Sequence, residues 1–231
     1  MISIIIPTLN EAEFISNLLQ LLTKQSGESK IEVIIVDGGS TDGTLDIISN
    51  FTDIKVIHSE VASRPVQLNL GAQVAQFNIF YFLHADVIPP NTFYEDIVDA
   101  SKRSSVGGYR YRFDSGHWLL KINAWFTRFP MMWCRGGDQS MFIKKSLFDE
   151  LGGYNEYYSV LEDFDIIRRA KEHYDYFIIA KDVIVSPRKY VHNGYFKVQM
   201  VNLKAFRMYR NGVEPDKIRA FYKKALSLKN Y

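Results

Sequence analysis

Short runs of almost continuous apolar residues alternate with helix-patterned segments in the first part of this sequence. Residues 3–7 and 32–37 form two such runs, and each ends in polar, turn-forming residues. Runs of this kind are typical of strands that are buried on both faces of a parallel sheet. Residues 12–22, which lie between them, place their apolar side chains on one helical stripe. The pattern therefore predicts two parallel strands that are joined by a helix.

The same alternation continues along the next stretch of chain. Residues 43–51 and 65–75 have the pattern of helices, and residues 55–58 and 79–83 have the pattern of strands. Regular alternation with short connections predicts a doubly wound α/β sheet with right-handed crossovers.

After about residue 90 the rhythm changes, and the elements become mixed. Residues 107–113 alternate like an exposed strand, and the chain shows no internal repeat, low-complexity segment or linker. We therefore interpret residues 1–231 as a single domain. The remaining predicted elements are strands at 139–143, 177–179 and 183–186, and helices at 118–129, 146–151 and 162–172, with two more helices from 195 to 228 that are separated at Gly212.

Composition excludes several classes of protein. Hydrophobic residues make up 47% of the 231 residues and the net charge is only +2, which is typical of a globular chain and not of a nucleic-acid binder. The single cysteine, Cys134, cannot form an internal disulfide, which favours a reducing compartment. The first residues carry no basic leader, and no apolar run approaches the roughly 20 residues that cross a bilayer. We expect a cytoplasmic protein that does not span a membrane.

Polar clusters follow three of the predicted strands. They are residues 7–11, 37–44 and 84–86, and their sequences are PTLNE, DGGSTDGT and HAD. Each one alone could be an ordinary cap or turn. Since an open α/β sheet binds its ligands at the carboxyl ends of its strands, the three together favour a binding site.

The series SIIIPTLNE, VIIVDGGSTDGT and FLHAD resembles glycosyltransferase family 2 enzymes of the GT-A fold. The resemblance runs from Ile2 to about Arg188, and it is to a short, soluble, bacterial-type member. It implies an α/β GT-A fold, which is a Rossmann-like mixed sheet flanked by helices. It also implies that residues 1–113 bind a nucleotide sugar, and that residues 114–231, with their C-terminal helices, bind the acceptor.

The resemblance assigns donor-binding roles to several residues. Thr8 and Glu11 are expected to line the nucleotide pocket, and Asp37 is expected to accept a hydrogen bond from the base. The glycines beside Asp37, Gly39 among them, would let a ligand approach the backbone. Arg64 is expected near the base or the diphosphate, with a solvated surface charge as the alternative.

The segment HAD stands where the family has its DxD signature. The resemblance implies that Asp86 holds Mg²⁺ or Mn²⁺ against the diphosphate, while His84 replaces the aspartate that commonly contacts the ribose. A hard cation with few protein ligands, completed by phosphate oxygens and water, is normal for Mg²⁺. Arg188 is expected to approach the diphosphate. His192 is a further metal-ligand candidate, although a lone loop histidine is more often a bystander.

Two further motifs bear on the acceptor. By resemblance, Asp163 is the general base and Glu162 supports it, although acidic residues in a first helical turn are also ordinary dipole partners. Asp165 points to another side of that helix. Residues 135–139 resemble a loop on the acceptor side, in which Asp138 or Gln139 would face a sugar hydroxyl. The Gly-Gly-Asp run at 136–138 is also typical of an ordinary turn.

These residues predict an inverting glycosyltransferase that uses a nucleotide-sugar donor, with UDP-sugars favoured, and an acceptor hydroxyl on a sugar, lipid or small molecule. A non-catalytic nucleotide-sugar-binding protein is one alternative. A sugar nucleotidyltransferase is the other, but it needs a glycine-rich loop where this chain has PTLNE. The tail interleaves aromatic and basic residues, which allows peripheral membrane contact, with packing into the core as the alternative. Its aromatic residues are Phe206, Tyr209, Phe221 and Tyr222.

Overall fold

The computed structural model describes residues 1–26, 31–135 and 139–226. An eight-stranded mixed sheet of order β3-β2-β1-β4-β7-β6-β8-β5 runs through it, with helices on both sides. Its strands are β1 (Ile2–Thr8), β2 (Ile31–Asp37), β3 (Ile54–His58), β4 (Ile79–Phe82), β5 (Val87–Ile88), β6 (Val106–Phe113), β7 (Met141–Lys144) and β8 (Tyr176–Val185). The helices are α1 (Ala12–Ser26), α2 (Thr44–Ile48), α3 (Arg64–Val74), α4 (Phe93–Arg103), α5 (Trp118–Trp125), α6 (Lys145–Glu150), α7 (Glu162–Lys171), α8 (Arg188–Asn193), α9 (Tyr195–Arg210) and α10 (Pro215–Ala225).

The first half is the parallel sheet that the sequence predicts. β1 lies between β2 and β4 and is parallel to both, and β2 is parallel to β3. Ile4, Ile5 and Ile6 are completely buried, because helices cover both faces of the sheet at β1. The predicted α/β class is confirmed.

The second half differs from the predicted pattern at β6, which the sequence suggested was exposed. β6 lies inside the sheet, antiparallel to β7 and parallel to β8. Its second and third residues, Gly107 and Gly108, allow close packing, since a Cβ atom on Gly107 would stand 2.6 Å from Cε1 of Phe142. The two predicted strands at 177–179 and 183–186 are one strand, β8, with a register irregularity opposite Tyr109 and Arg110.

The tail forms two helices, as predicted, and they pack on each other. Val198, Val201, Ile218 and Tyr222 share a small core with Val160. The other aromatic residues of the tail also make packing contacts: the rings of Phe206 and Phe164 lie 5.4 Å apart, those of Tyr209 and Tyr158 lie 5.2 Å apart, and Lys204 Nζ lies 4.6 Å from the Phe221 ring. Packing therefore accounts for these aromatics, and peripheral membrane contact by the tail stays a prediction. Within the described ranges, no helix combines the length and apolar character that crossing a bilayer requires.

Candidate active site

A pocket of about 1070 Å³ opens at the carboxyl ends of β1, β4 and β8. The sequence folds this way because each of these strands ends in a polar loop, and parallel neighbours place those loops at one edge. Residues 7–11, 84–86 and 184–192 supply three of its walls. The predicted residues Thr8, Glu11, Arg64, His84, Asp86, Arg188 and His192 all line it.

Arg188 joins the loops that follow β1 and β4. Its Nη1 and Nη2 atoms lie 2.7 and 2.8 Å from the two carboxylate oxygens of Glu11, and its Nε lies 3.0 Å from Oδ2 of Asp86. The guanidinium also stacks 4.8 Å from the ring centroid of Phe14. A planar guanidinium suits this double recognition because its donors point in fixed directions. The pocket floor therefore holds two carboxylates that are neutralised largely by one arginine.

The residues around Asp86 fit a metal only in part. Within the part of the chain that the structure describes, no three His, Cys, Asp or Glu side chains converge into a metal-binding cluster. Asp86 could supply one carboxylate to a cation that the diphosphate also ligates, as Mg²⁺ sites commonly require. To do so, Asp86 must exchange its contact with Arg188. His192 is exposed and lines the same pocket.

His84 lies at the pocket wall in a cationic setting. Burial, with the nearby guanidinium groups of Arg64 and Arg188, holds the pKa of His84 well below its ordinary value of 6.5. Its imidazole is therefore neutral at pH 7, so it adds no charge beside the two arginines.

Asp37 occupies the centre of the turn after β2. It is completely buried, and its oxygens accept hydrogen bonds from the N–H groups of Gly39 and Ser40, each at 2.9 Å, and from the hydroxyls of Ser40 and Thr8. Gly39 has φ 95°, a conformation that glycine adopts without strain. These contacts make Asp37 a positioning residue of the turn. Its contact with a nucleobase stays a prediction that this geometry does not favour.

The acidic pair at the start of α7, Glu162 and Asp163, is buried beside the pocket. Oε1 of Glu162 forms an ion pair with Nη1 of Arg64 at 2.8 Å. Asp163 is 8% exposed and accepts a 3.4 Å hydrogen bond from the hydroxyl of Tyr154, whose pKa burial and the Asp163 carboxylate raise well above its usual value. Leu161, the residue before the pair, has φ 69°. A bulky residue held in this strained region is often found at functional sites.

Asp163 lines a small cavity of about 10 Å³ together with His84 and Tyr154, whereas Ser159 and Val160 line the main pocket. Asp165 faces elsewhere, as predicted from helical geometry. It accepts hydrogen bonds from Arg168, Arg169 and Tyr209.

The predicted acceptor loop is only partly described. Asp138, with Gly136 and Gly137, lies outside the described residues. Gln139 is buried, and its Oε1 accepts a 2.7 Å hydrogen bond from Nη1 of Arg135. Gln139 thus braces the loop, and its contact with an acceptor hydroxyl stays a prediction that this burial does not favour.

Two basic residues of α10 line the pocket, although the sequence analysis assigned neither of them to a binding site. Arg219 and Lys223 lie one helical turn apart, and Lys189 of α8 adds a third positive side chain. The sequence did carry a signal for these two residues. Arg219 and Lys223 are spaced (i, i+4), so they share one side of α10, and each directly follows a buried residue, Ile218 or Tyr222. The pocket is thus basic on the wall that the C-terminal helices supply.

Comparison with known proteins places these features in context. The sequence profile of Glycosyl transferase family 2 matches residues 3–150. The chain is 31% identical over 188 residues to a PGL/p-HBAD biosynthesis glycosyltransferase of Mycobacterium bovis, covering 71% of this chain and 67% of that protein. It is 26% identical to glycosyltransferase AglE of Haloferax volcanii, covering 79% and 65% of the two chains.

Solved structures resemble the fold over nearly the whole chain, and these neighbours confirm the predicted GT-A fold. TarS 1–349 of S. aureus in complex with UDP-GlcNAc has a TM-score of 0.66 and 18% identity, covering 97% of this chain and 71% of that one. The mannosyltransferase PcManGT of Pyrobaculum calidifontis, in complex with GDP-Man and Mn²⁺, has a TM-score of 0.66 and 18% identity, covering 96% and 68%.

Proposed function

Because this chain belongs to glycosyltransferase family 2 and is a glycosyltransferase, we propose that it transfers a sugar, with inversion, from a nucleoside-diphosphate sugar to an acceptor hydroxyl. We favour UDP-sugars as donors. The observation that carries the proposal is the meeting of Glu11, Asp86 and Arg188 at the floor of a pocket at the carboxyl ends of the strands.

The charges in the pocket suit a diphosphate. Arg64, Arg188, Lys189, Arg219 and Lys223 all line it. Preorganised cations stabilise charge that develops on a departing diphosphate, and they do so more strongly where water is partly excluded. A guanidinium can also bind two phosphate oxygens at once. These side chains would therefore bind the donor and promote departure of the nucleoside diphosphate.

Asp86 is the residue that would hold Mg²⁺ or Mn²⁺, with His192 as a candidate second ligand. A divalent cation there would supply further neutralisation of the leaving group. The presence of Mn²⁺ with GDP-Man in the complex of PcManGT supports this part of the proposal. Arg188 would then turn from Asp86 toward the phosphates while its pairing with Glu11 anchors it.

Asp163 would accept the proton of the acceptor hydroxyl as that oxygen attacks the anomeric carbon from the face opposite the diphosphate. Tyr154 orients one carboxylate oxygen of Asp163 by a hydrogen bond. The Arg64–Glu162 ion pair fixes the first turn of α7 against α3 and so places Asp163. Since Asp163 is nearly buried, the adjoining wall at Ser159 and Val160 must open to admit the acceptor.

Calorimetry tests the donor site. UDP, GDP, CDP and dTDP are titrated with and without Mn²⁺ into the wild type, Asp86→Ala and the control Asp53→Ala, which changes an exposed residue outside the pocket. We expect one nucleotide to bind tightly, and Asp86→Ala alone to abolish the gain from Mn²⁺. If no nucleotide binds under any condition, the proposed donor site is wrong.

Transfer of labelled sugar to lipid and water-soluble fractions tests the base. Asp163→Asn should lower transfer by about 10²–10⁴-fold and keep nucleotide affinity, because a positioned base contributes about that much. The matched variant Asp165→Asn alters an acid on another side of α7 and should keep transfer. If Asp163→Asn transfers at the wild-type rate, the base assignment fails; if the wild type binds nucleotide and transfers nothing, a binding protein is indicated.

A further inference from the structure

Two segments of the chain contain no acidic residue, although the protein has 26. They are residues 115–135 and 186–213, which include α5 in the first and α8 and α9 in the second. Both carry exposed basic residues. These are Lys121 and Arg128 in the first segment and Lys197, Lys204, Arg207 and Arg210 in the second.

The same segments expose large apolar side chains. Among the described residues, nine of the fourteen large exposed hydrophobics lie in them. Trp118 and Trp125 are 64% and 51% exposed on α5, and Phe196 and Met200 are 71% and 72% exposed one turn apart on α9. We name this set the basic apolar surface. Its exposed apolar members are Trp118, Ile122, Trp125, Met131, Trp133, Val191, Phe196, Met200 and Leu203.

The two parts of the basic apolar surface lie side by side. The hydroxyl of Tyr190 in α8 accepts hydrogen bonds from Nδ2 of Asn123 in α5, at 3.3 Å, and from Nε2 of Gln199 in α9, at 3.4 Å. Asn123 follows the exposed Ile122, and Gln199 precedes the exposed Met200. One tyrosine therefore ties both helices to a common position.

We propose that the basic apolar surface rests on an anionic lipid bilayer. Tryptophan is enriched at membrane interfaces, and helices with an apolar face flanked by Lys and Arg lie in the headgroup region. Each basic residue near an anionic leaflet also adds attraction. A second copy of this chain would bring two surfaces of the same positive sign together, so charge complementarity favours the lipid.

The proposal has a consequence for the substrate, and this step alone rests on the proposed transferase activity. Val191, a member of the basic apolar surface, is 73% exposed and lines the pocket together with the exposed His192. A bilayer in contact with α8 would therefore meet the mouth of the pocket. The acceptor would be a hydroxyl carried on a lipid headgroup.

Intrinsic fluorescence reports directly on this surface, because all three tryptophans of the chain, Trp118, Trp125 and Trp133, belong to it. Vesicles of phosphatidylcholine containing phosphatidylglycerol should shift the emission to the blue and sediment the protein. Pure phosphatidylcholine should do so much less, and high salt should weaken binding. Neither donor nor acceptor is needed, so the result is independent of transfer.

Variants test which side chains are responsible. Trp118→Gln with Phe196→Gln should abolish sedimentation, whereas the control Tyr157→Gln, at an 82% exposed aromatic outside the surface, should retain it. Lys197→Gln with Arg207→Gln should weaken binding about 25-fold, at roughly fivefold per charge. Lys55→Gln, an exposed control on β3, should not.

Three outcomes would overturn the proposal. One is a wild type that stays in solution with anionic vesicles while its thermal melt shows a folded protein. Another is equal binding by the Trp118→Gln/Phe196→Gln pair and by the wild type. The third is a dimer in analytical ultracentrifugation without lipid that this pair converts to a monomer, which would assign the surface to a second copy. If the protein binds vesicles but transfers nothing, the membrane surface stands and the proposed activity fails.

Discussion

Replacing Arg64 by methionine should destabilise the protein because the buried carboxylate of Glu162 loses its ion-pair partner. Glu162 has a side chain only 2% exposed, and Arg64, whose side chain is 28% exposed, supplies its ion pair at 2.8 Å. Methionine keeps most of the apolar stem and removes the charge. The Glu162 carboxylate would then remain buried at the start of α7 without this partner.

The expected cost follows from that burial. Breaking a fully buried ion pair costs about 3–5 kcal/mol. Water can reach the space that Arg64 vacates, and the helix dipole at the first turn of α7 compensates part of the charge by about 0.3–1 kcal/mol. We therefore expect a loss of about 2 kcal/mol in the free energy of unfolding. For a chain of 231 residues this lowers the melting temperature by about 4–8 °C.

A double-mutant cycle separates the ion pair from other contacts of Arg64. Urea unfolding is measured for the wild type, Arg64→Met, Glu162→Gln and the double variant, with the exposed Arg112→Met as control. The double variant should be more stable than Arg64→Met, because glutamine carries no buried charge. If Arg64→Met melts within about 1 °C of the wild type, or the double variant is no more stable than it, the reasoning is refuted.

Three further perturbations follow from the structure. Gly107→Ala would place a Cβ 2.6 Å from Cε1 of Phe142, and it should lower the free energy of unfolding in urea by about 3 kcal/mol or more. The control Gly116→Ala would place a Cβ with no atom within 4 Å, so it should change that free energy little. Equal stabilities of the two variants would contradict this prediction. Because the pKa of His84 is lowered in the folded protein, the unfolded chain binds the proton more tightly, and stability should fall as the pH drops below about 6.5, by at most about 1.4 kcal/mol per pH unit. Thermal melts of His84→Asn at several pH values should show a flatter dependence of stability on pH. An unchanged dependence would refute this prediction. Arg188→Gln should weaken nucleoside diphosphate binding and strengthen binding of Mn²⁺ alone by roughly tenfold, because a competing cation is removed; calorimetry showing weaker Mn²⁺ binding would contradict the exchange.

The parallel half of the fold could be predicted because its signals are local. Runs such as 32–37 are apolar throughout and end in turn residues, so both strand and direction can be recognised. The burial of β6 could not be predicted, because Arg110 and Arg112 give its sequence the alternation of an exposed strand. Its neighbours β7 and β8 come from distant parts of the chain, and only they bury it.

The candidate site, too, combines features that the sequence could predict with features that it could not. Clusters at strand ends indicated where the pocket lies, and the family resemblance indicated Asp86 and Arg188 among its lining residues. Residue type could not tell whether the carboxylate of Asp37 faces a ligand or its own turn, because both uses need the same oxygens. The places of Arg219 and Lys223 depend on how α10 packs on α9, which no local pattern encodes.

Arg188 is separated from Glu11 by 177 positions along the chain. During synthesis, β1, β2 and β4 therefore leave the ribosome long before their counter-charge does. An incomplete chain presents Glu11 and Asp86 without this arginine, and this charge balance of the pocket floor arrives only when β8 and α8 have emerged. If Arg188 binds the donor as proposed, nascent fragments that end before residue 188 should not sequester the nucleotide sugar.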